Sequence, residues 1–97
     1  MKKLFISQPM RGKTNDKIIL ERQKILEKLN GVDASYYLID SVINEPNSNP
    51  ITLLGRSIEL MADADVILFM SGWENARGCV IEHQVAVSYN KEIIYYN

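Results

Sequence analysis

Apolar and polar positions along the chain follow two different periods. Four short apolar segments have the length and the β-branched and aromatic content of strands: Lys3-Leu4-Phe5-Ile6-Ser7, Tyr36-Tyr37-Leu38-Ile39, Val66-Ile67-Leu68-Phe69-Met70 and Glu92-Ile93-Ile94-Tyr95-Tyr96. Between them the spacing lengthens to that of a helix. Asn15 to Asn30 carries Ile18, Ile25 and Leu29 on one face, with Thr14 placed to cap its start and Gly31 to stop it. A second helix begins at Pro50 behind Asn49 as its cap, and its stripe of Leu54, Ile58 and Met61 is expected to face inward. A third, from about Arg77 to Asn90, is expected to pack through Val80, Val87 and their neighbours.

Strand–helix alternation with short connections predicts an α/β domain of three layers, Rossmann-like (flavodoxin-like), with helices on both faces of a sheet whose winding reverses once. The third segment is apolar on both faces and belongs at the centre, beside the first. The expectation is a four-stranded parallel sheet in the order 2-1-3-4. Ligands of open α/β sheets bind outside the carboxyl ends of the strands where the winding reverses, here between strands one and three. Two loops are thereby selected, Ser7-Gln8-Pro9-Met10-Arg11-Gly12 and Ser71 to Gly78. The turn-rich stretch from Asn44 to Pro50 sits at the same end and is a candidate flap.

Composition narrows the function. Ninety-seven residues are expected to form one domain over 1–97, too short for separate cofactor and substrate domains. Eleven basic against twelve acidic side chains, with no basic cluster, disfavour general nucleic-acid binding. One cysteine makes no internal disulfide, there is no metal-ligand spacing, and no apolar run approaches the roughly 20 residues of a membrane span. The first apolar stretch stops at Ser7, so no signal peptide is readable. Nothing makes a Walker loop, a GxGxxG fingerprint or a serine-histidine-acid set, and no cofactor is implied. The expectation is a soluble, cytoplasmic protein without membrane or nucleic-acid partners.

The most informative run is Gly72-Trp73-Glu74-Asn75-Ala76-Arg77-Gly78-Cys79-Val80-Ile81-Glu82, which joins the apolar third strand to the third helix. Glu82 falls in the second turn of that helix and leans over Gly78, four residues earlier, which leaves its carboxylate uncovered. It is either the reacting group or a surface glutamate favoured by the helix dipole. Arg11 and Arg77 come from the two selected loops and suit an anion, whereas a single loop arginine is ordinarily just solvated. Trp73 sits past the strand where it could stack on a ligand; Phe5 reads as core. His83 does not share a face with Glu82, Cys79 reads as a buried small residue, and Asp63 and Asp65 read as caps. Tyr95 and Tyr96 suit edge packing or a subunit contact.

Three blocks of the chain resemble a known family: Leu4 to Gly12, the segment Ile58-Glu59-Leu60-Met61-Ala62-Asp63-Ala64-Asp65-Val66-Ile67, and Gly72 to Glu82 followed by Ala86. They look like the nucleoside 2-deoxyribosyltransferase-like superfamily, nearest its short bacterial and phage branch, known as domain of unknown function 4406. The resemblance implies a small-molecule nucleoside or nucleotide ligand and a catalytic glutamate, matching Glu82, that attacks the anomeric carbon and forms a sugar ester passed to another base or to water. It also implies sugar and base binding by Ser7, Gln8, Pro9, Met10, Arg11 and Gly12. The loop of Gly72, Trp73, Arg77 and Gly78 would take a 5′-phosphate or hydroxyl. Two positions depart from the catalytic pattern: Ser57 stands where an aspartate helps protonate the base, and Ala76 where a serine contacts phosphate. A nucleoside deoxyribosyltransferase or nucleotide N-glycosidase and a non-catalytic module that sequesters a nucleotide or ADP-ribose-like signal both remain open. A homodimer or higher oligomer through helices two and three is expected, since family members commonly complete their sites across subunits.

Overall fold

The computed structural model describes residues 1–31, 35–41 and 49–96. Its elements are β1 (Lys2–Ser7), α1 (Asn15–Asn30), β2 (Tyr36–Leu38), α2 (Pro50–Ala62), β3 (Val66–Met70), a single 3-10 turn (Trp73–Asn75), α3 (Arg77–Ser88) and β4 (Glu92–Tyr96). All neighbouring strands run parallel, in the order β2-β1-β3-β4. Leu4 lies opposite both Leu38 and Val66, and Ser7 lies opposite Phe69. The winding therefore reverses between β1 and β3, as the apolar pattern predicts.

Alternation along the strands separates two cores. Phe5, Ile67 and Phe69 point to one face, where they meet Met61 of α2 and Ala86 of α3. Leu4, Ile6, Val66 and Leu68 point to the other, against Ile25 of α1. Two helices thus cover one face and one covers the other, the arrangement that right-handed crossovers impose on this strand order.

The helix starts follow their caps. Thr14 Oγ1 accepts from the Lys17 N–H at 3.2 Å, and Asn49 Oδ1 accepts from the Thr52 N–H at 2.9 Å ahead of Pro50. Gly31 ends α1 without entering the left-handed region (φ −72°). Asp63 closes α2 through its backbone N–H, as expected of a cap, whereas Asp65 caps no helix and accepts instead from the Lys3 backbone N–H of β1 at 2.8 Å.

Two inward faces differ from the sequence reading. On α3 the buried residues are Cys79, Glu82 and Ala86, while Val80 is half-buried and Val87 is exposed. The inward stripe is rotated by about a quarter turn from the valines, because Glu82 and not a valine faces the end of β1. On α2 only Met61 is buried; Ile58 packs at the margin of the core and Leu54 stays half-buried. Of the candidate flap, residues 44–48 lie outside the described residues, and Asn49 and Pro50 belong to the start of α2. No helix among the described residues is long and apolar enough to cross a membrane.

Candidate functional site

The carboxyl ends of β1 and β3 bring the two selected loops together. Gly72 holds φ +91°, open to glycine at little cost, and a side chain there would meet the Pro9 ring. The Ser71 N–H donates to Tyr96 O at 2.8 Å, which ties the start of the second loop to β4. In the first loop Met10 O accepts from the Lys13 N–H at 3.1 Å, and Gly12 takes φ +78° to complete the turn into α1. Met10, Arg11 and Gly12 are exposed, and Pro9 is half-buried.

Ser7 is the last residue of β1 and points to the face covered by α3. Its Oγ donates to Glu82 Oε1 at 2.7 Å, and both residues are buried, Glu82 being 7% exposed. A charge-assisted bond of this length is among the stronger hydrogen bonds a protein makes. It does not fully offset the loss of water. Burial pushes the Glu82 carboxyl above the usual carboxylate range, while the Ser7 hydrogen bond and the charge of Arg22 pull it back down. Burial likewise pushes the Cys79 thiol up, which disfavours the thiolate, and this free cysteine is a buried, packed residue.

Gln8, just past the end of β1, points to the opposite face and so continues the strand's alternation by one residue. It is 3% exposed and its amide is engaged at both ends. Its Oε1 accepts from Nε of Arg22, and its Nε2 donates to Glu21 Oε1 at 3.2 Å and Ile18 O at 3.5 Å. Arg22 is 3% exposed, and its Nη1 donates to Ser41 Oγ at 2.7 Å. Sequence reasoning missed both Arg22 and Ser41. The signal was present, since Arg22 falls between Ile18 and Ile25 on the inward stripe of α1, a position where an arginine is out of place.

Trp73 is less free than its loop position suggests. It stacks on His83 with ring centroids 4.2 Å apart and lies 5.4 Å from Phe69. His83 Nε2 is 2.7 Å from the Tyr95 hydroxyl, on a face of α3 distinct from that of Glu82, in keeping with the sequence reading. Phe5, 2% exposed, is core. Arg77 opens α3, is exposed, and lines an open groove of ≈ 450 Å³ with Asn49, Pro50, Ile51, Leu54 and Ile81. Gly78 faces Leu54 across the α2–α3 contact. Ala76 precedes α3 and offers no side-chain cap, so the first-turn N–H groups of that helix lack a side-chain acceptor from this position. Among the described residues no group of three or more His, Cys, Asp or Glu side chains could hold a metal ion.

The geometry has a consequence for stability against pH. The folded state holds the Glu82 proton more tightly than the unfolded state, so this group's contribution is fully present below the unfolded glutamate pKa and is lost as pH rises through the folded value. Glu82→Gln removes that loss. The variant's melting temperature should match the wild type near about pH 4 and exceed it by about pH 8. A difference between the two proteins that stays constant over this range would contradict the assignment.

An open parallel sheet with a buried carboxylate held by the last residue of the strand at its switch point defines a small α/β protein built around one acidic side chain. The chain belongs to the family described as domain of unknown function DUF4406, whose model matches residues 2–95. No curated protein matches it.

Proposed function

We propose that the chain binds a nucleoside or nucleotide outside the carboxyl ends of β1 and β3 and cleaves or transfers at its N-glycosidic bond, with Glu82 as nucleophile. The observation that carries this reading is the buried Ser7–Glu82 pair at the switch point of the sheet. A carboxylate poorly solvated and held by one oxygen is more basic, and a stronger nucleophile, than a surface carboxylate. Its attack on the anomeric carbon forms a sugar ester while the C–N bond breaks and its electron pair leaves with the base. Water or a second base then displaces the sugar and returns Glu82 to its ionised state. The likeness of three blocks to the nucleoside 2-deoxyribosyltransferase-like superfamily supports this chemistry. The helix start at Ala76–Gly78, with Arg77 beside it, suits a phosphate or hydroxyl at the rim.

The second reading is a non-catalytic module that holds the same ligand. Ser57 is its specific support, because a half-buried serine on α2 supplies no acid for a departing base, and leaving-group protonation is worth about 10²–10⁴ in rate. Incubation with a panel of nucleosides and nucleotides, followed by chromatography for freed base and in parallel for retained ligand, separates the two. Freed base supports the glycosidase; retained, intact ligand supports the module; neither would remove both.

The apolar surface of α2 supports a reading of assembly. This helix carries Ile51, Leu53, Leu54, Ile58 and Leu60, yet only Met61 is buried and Ile51 is 82% exposed. We therefore propose a homodimer or higher oligomer through α2 and α3. Light scattering at micromolar concentration should give at least twice the mass of one chain, and a single-chain mass would count against it.

A further inference from the structure

The loop that follows β1 is fastened at both of its stems to one side chain of α1. Glu21, in the second turn of that helix, accepts from Gln8 Nε2 through Oε1 at 3.2 Å. It also accepts from Lys13 Nζ, through Oε1 at 3.0 Å and Oε2 at 3.2 Å. Gln8 begins the loop and Lys13 ends it, with only Pro9, Met10, Arg11 and Gly12 between them. The Gln8 amide cannot turn over. A guanidinium only donates, so Arg22 takes the Gln8 oxygen and leaves the NH2 group aimed at Glu21. Within the loop the Lys13 N–H donates to Met10 O at 3.1 Å, and Gly12 stands third in this turn at φ +78°, the sign a type II turn requires there. Arg11 takes the second position of the turn, and both it and Met10 are exposed.

We propose that Glu21 is the positioning residue of this loop, its carboxylate tying Gln8 and Lys13 to α1 and so fixing the turn that presents Met10 and Arg11 at the carboxyl end of β1. An exposed ion pair would carry little of such a role, because the entropy lost in ordering two long side chains offsets its attraction. This pair differs in two respects. The side chains of Lys13 and Glu21 are only 23% and 26% exposed, and the same carboxylate holds an amide that is buried and already oriented. Lys13 therefore bears most of the ordering cost, and release of Glu21 frees both stems at once. A four-residue loop with fixed ends has few conformations left, and a ligand that meets it binds without the entropic cost of ordering it. Glu21 belongs to the helix that packs on the face of the sheet opposite α3, and it acts through the loop. That Met10 and Arg11 meet a nucleoside or nucleotide rests on the function proposed above, but the hold on the loop does not.

The test is limited digestion of the folded protein with trypsin, with the cuts after Arg11 and after Arg56 followed separately by mass spectrometry. Arg56 is exposed in the middle of α2, where a cut requires the helix to open, so it reports a general loss of the fold. In Glu21→Ala the cut after Arg11 should come at least about tenfold faster than in wild type, the effect of losing one hydrogen bond to a charged group. The cut after Arg56 should change by no more than about twofold. Alanine is the better helix former, so the substitution does not weaken α1 itself. Lys13→Met frees one stem and should give a smaller rise after Arg11, whereas Lys13→Arg keeps a charged donor and should stay near wild type. Adding Lys13→Met to Glu21→Ala should change nothing further, since one carboxylate holds both stems. A merely structural glutamate predicts equal rises after Arg11 and Arg56. That result, wild-type cutting after Arg11 in Glu21→Ala, or a further rise in the double variant would overturn the proposal. Should Glu21→Ala fail to fold, the two lysine variants decide, and equal cutting after Arg11 in both would overturn it. A protein that neither frees base from any nucleotide of the panel nor retains one, yet shows the rise confined to Arg11, loses the function proposed above and keeps this role for Glu21.

Discussion

Replacing Glu82 with glutamine should reduce base release by about a thousandfold or more while leaving nucleotide affinity within a fewfold of wild type. The amide keeps the shape of the side chain, and its carbonyl oxygen can still accept from Ser7 Oγ, the bond that holds the native carboxylate at 2.7 Å. It cannot form the sugar ester. The expected pattern is thus a loss in kcat with little change in binding, which marks a group that acts only as the bond breaks. If the protein is a module without turnover, the same substitution changes affinity modestly and there is no release to lose. A helix-dipole role for Glu82 predicts neither, only a stability change of about 1 kcal/mol or less. Release at the wild-type rate in Glu82→Gln would sink the glycosidase mechanism.

The largest loss of stability should come from Phe69→Ala, at about 3–5 kcal/mol in urea unfolding. Phe69 is fully buried in β3, opposite Ser7, and its ring lies 4.9 Å from His83, 5.4 Å from Trp73 and 6.2 Å from Tyr95. Removing it opens a cavity beneath an aromatic group that holds the loop before α3 against the sheet. Total stabilities of such domains are only about 5–15 kcal/mol, so the variant should be close to unfolding. Trp73 is the chain's single tryptophan and reports the change directly, with emission moving to the red as its packing loosens. A loss below about 1 kcal/mol would mean that this aromatic group does not carry the packing described here.

The strand order was legible because each cue had a physical meaning independent of context. The two-faced apolarity of Val66 to Phe69 requires burial on both sides, and all four residues are buried. Thr14 and Asn49 were legible because a cap is a bond across three residues, which needs no tertiary partner to form. The inward face of α3 was not. Valines outrank a glutamate in any apolar ranking, so Val87 reads as inward and Glu82 as a group lying over an empty glycine. The fold instead buries Glu82 and leaves Val87 53% exposed, because the end of β1 presents Ser7 as a donor at that point.

From the residues alone came the alternation of elements, the reversal between the first and third strands, the two loops at the carboxyl ends and the glutamate that the second of them leads to. These depend on periods, caps and turn formers, which act over a few positions of the chain. The tertiary structure alone decided that Gln8 turns away from Ser7 to hold Arg22, that Ser41 completes the hold, and that Trp73 packs on His83 and Phe69. It also decided the charge balance at Glu82, where burial opposes Ser7 and Arg22. Gln8 and Arg22 are 14 residues apart, and Ser7 and Glu82 are 75 apart. No local pattern records such pairings, because their energies appear only when a buried donor, charge or ring has to find a partner that the folded sheet brings to it.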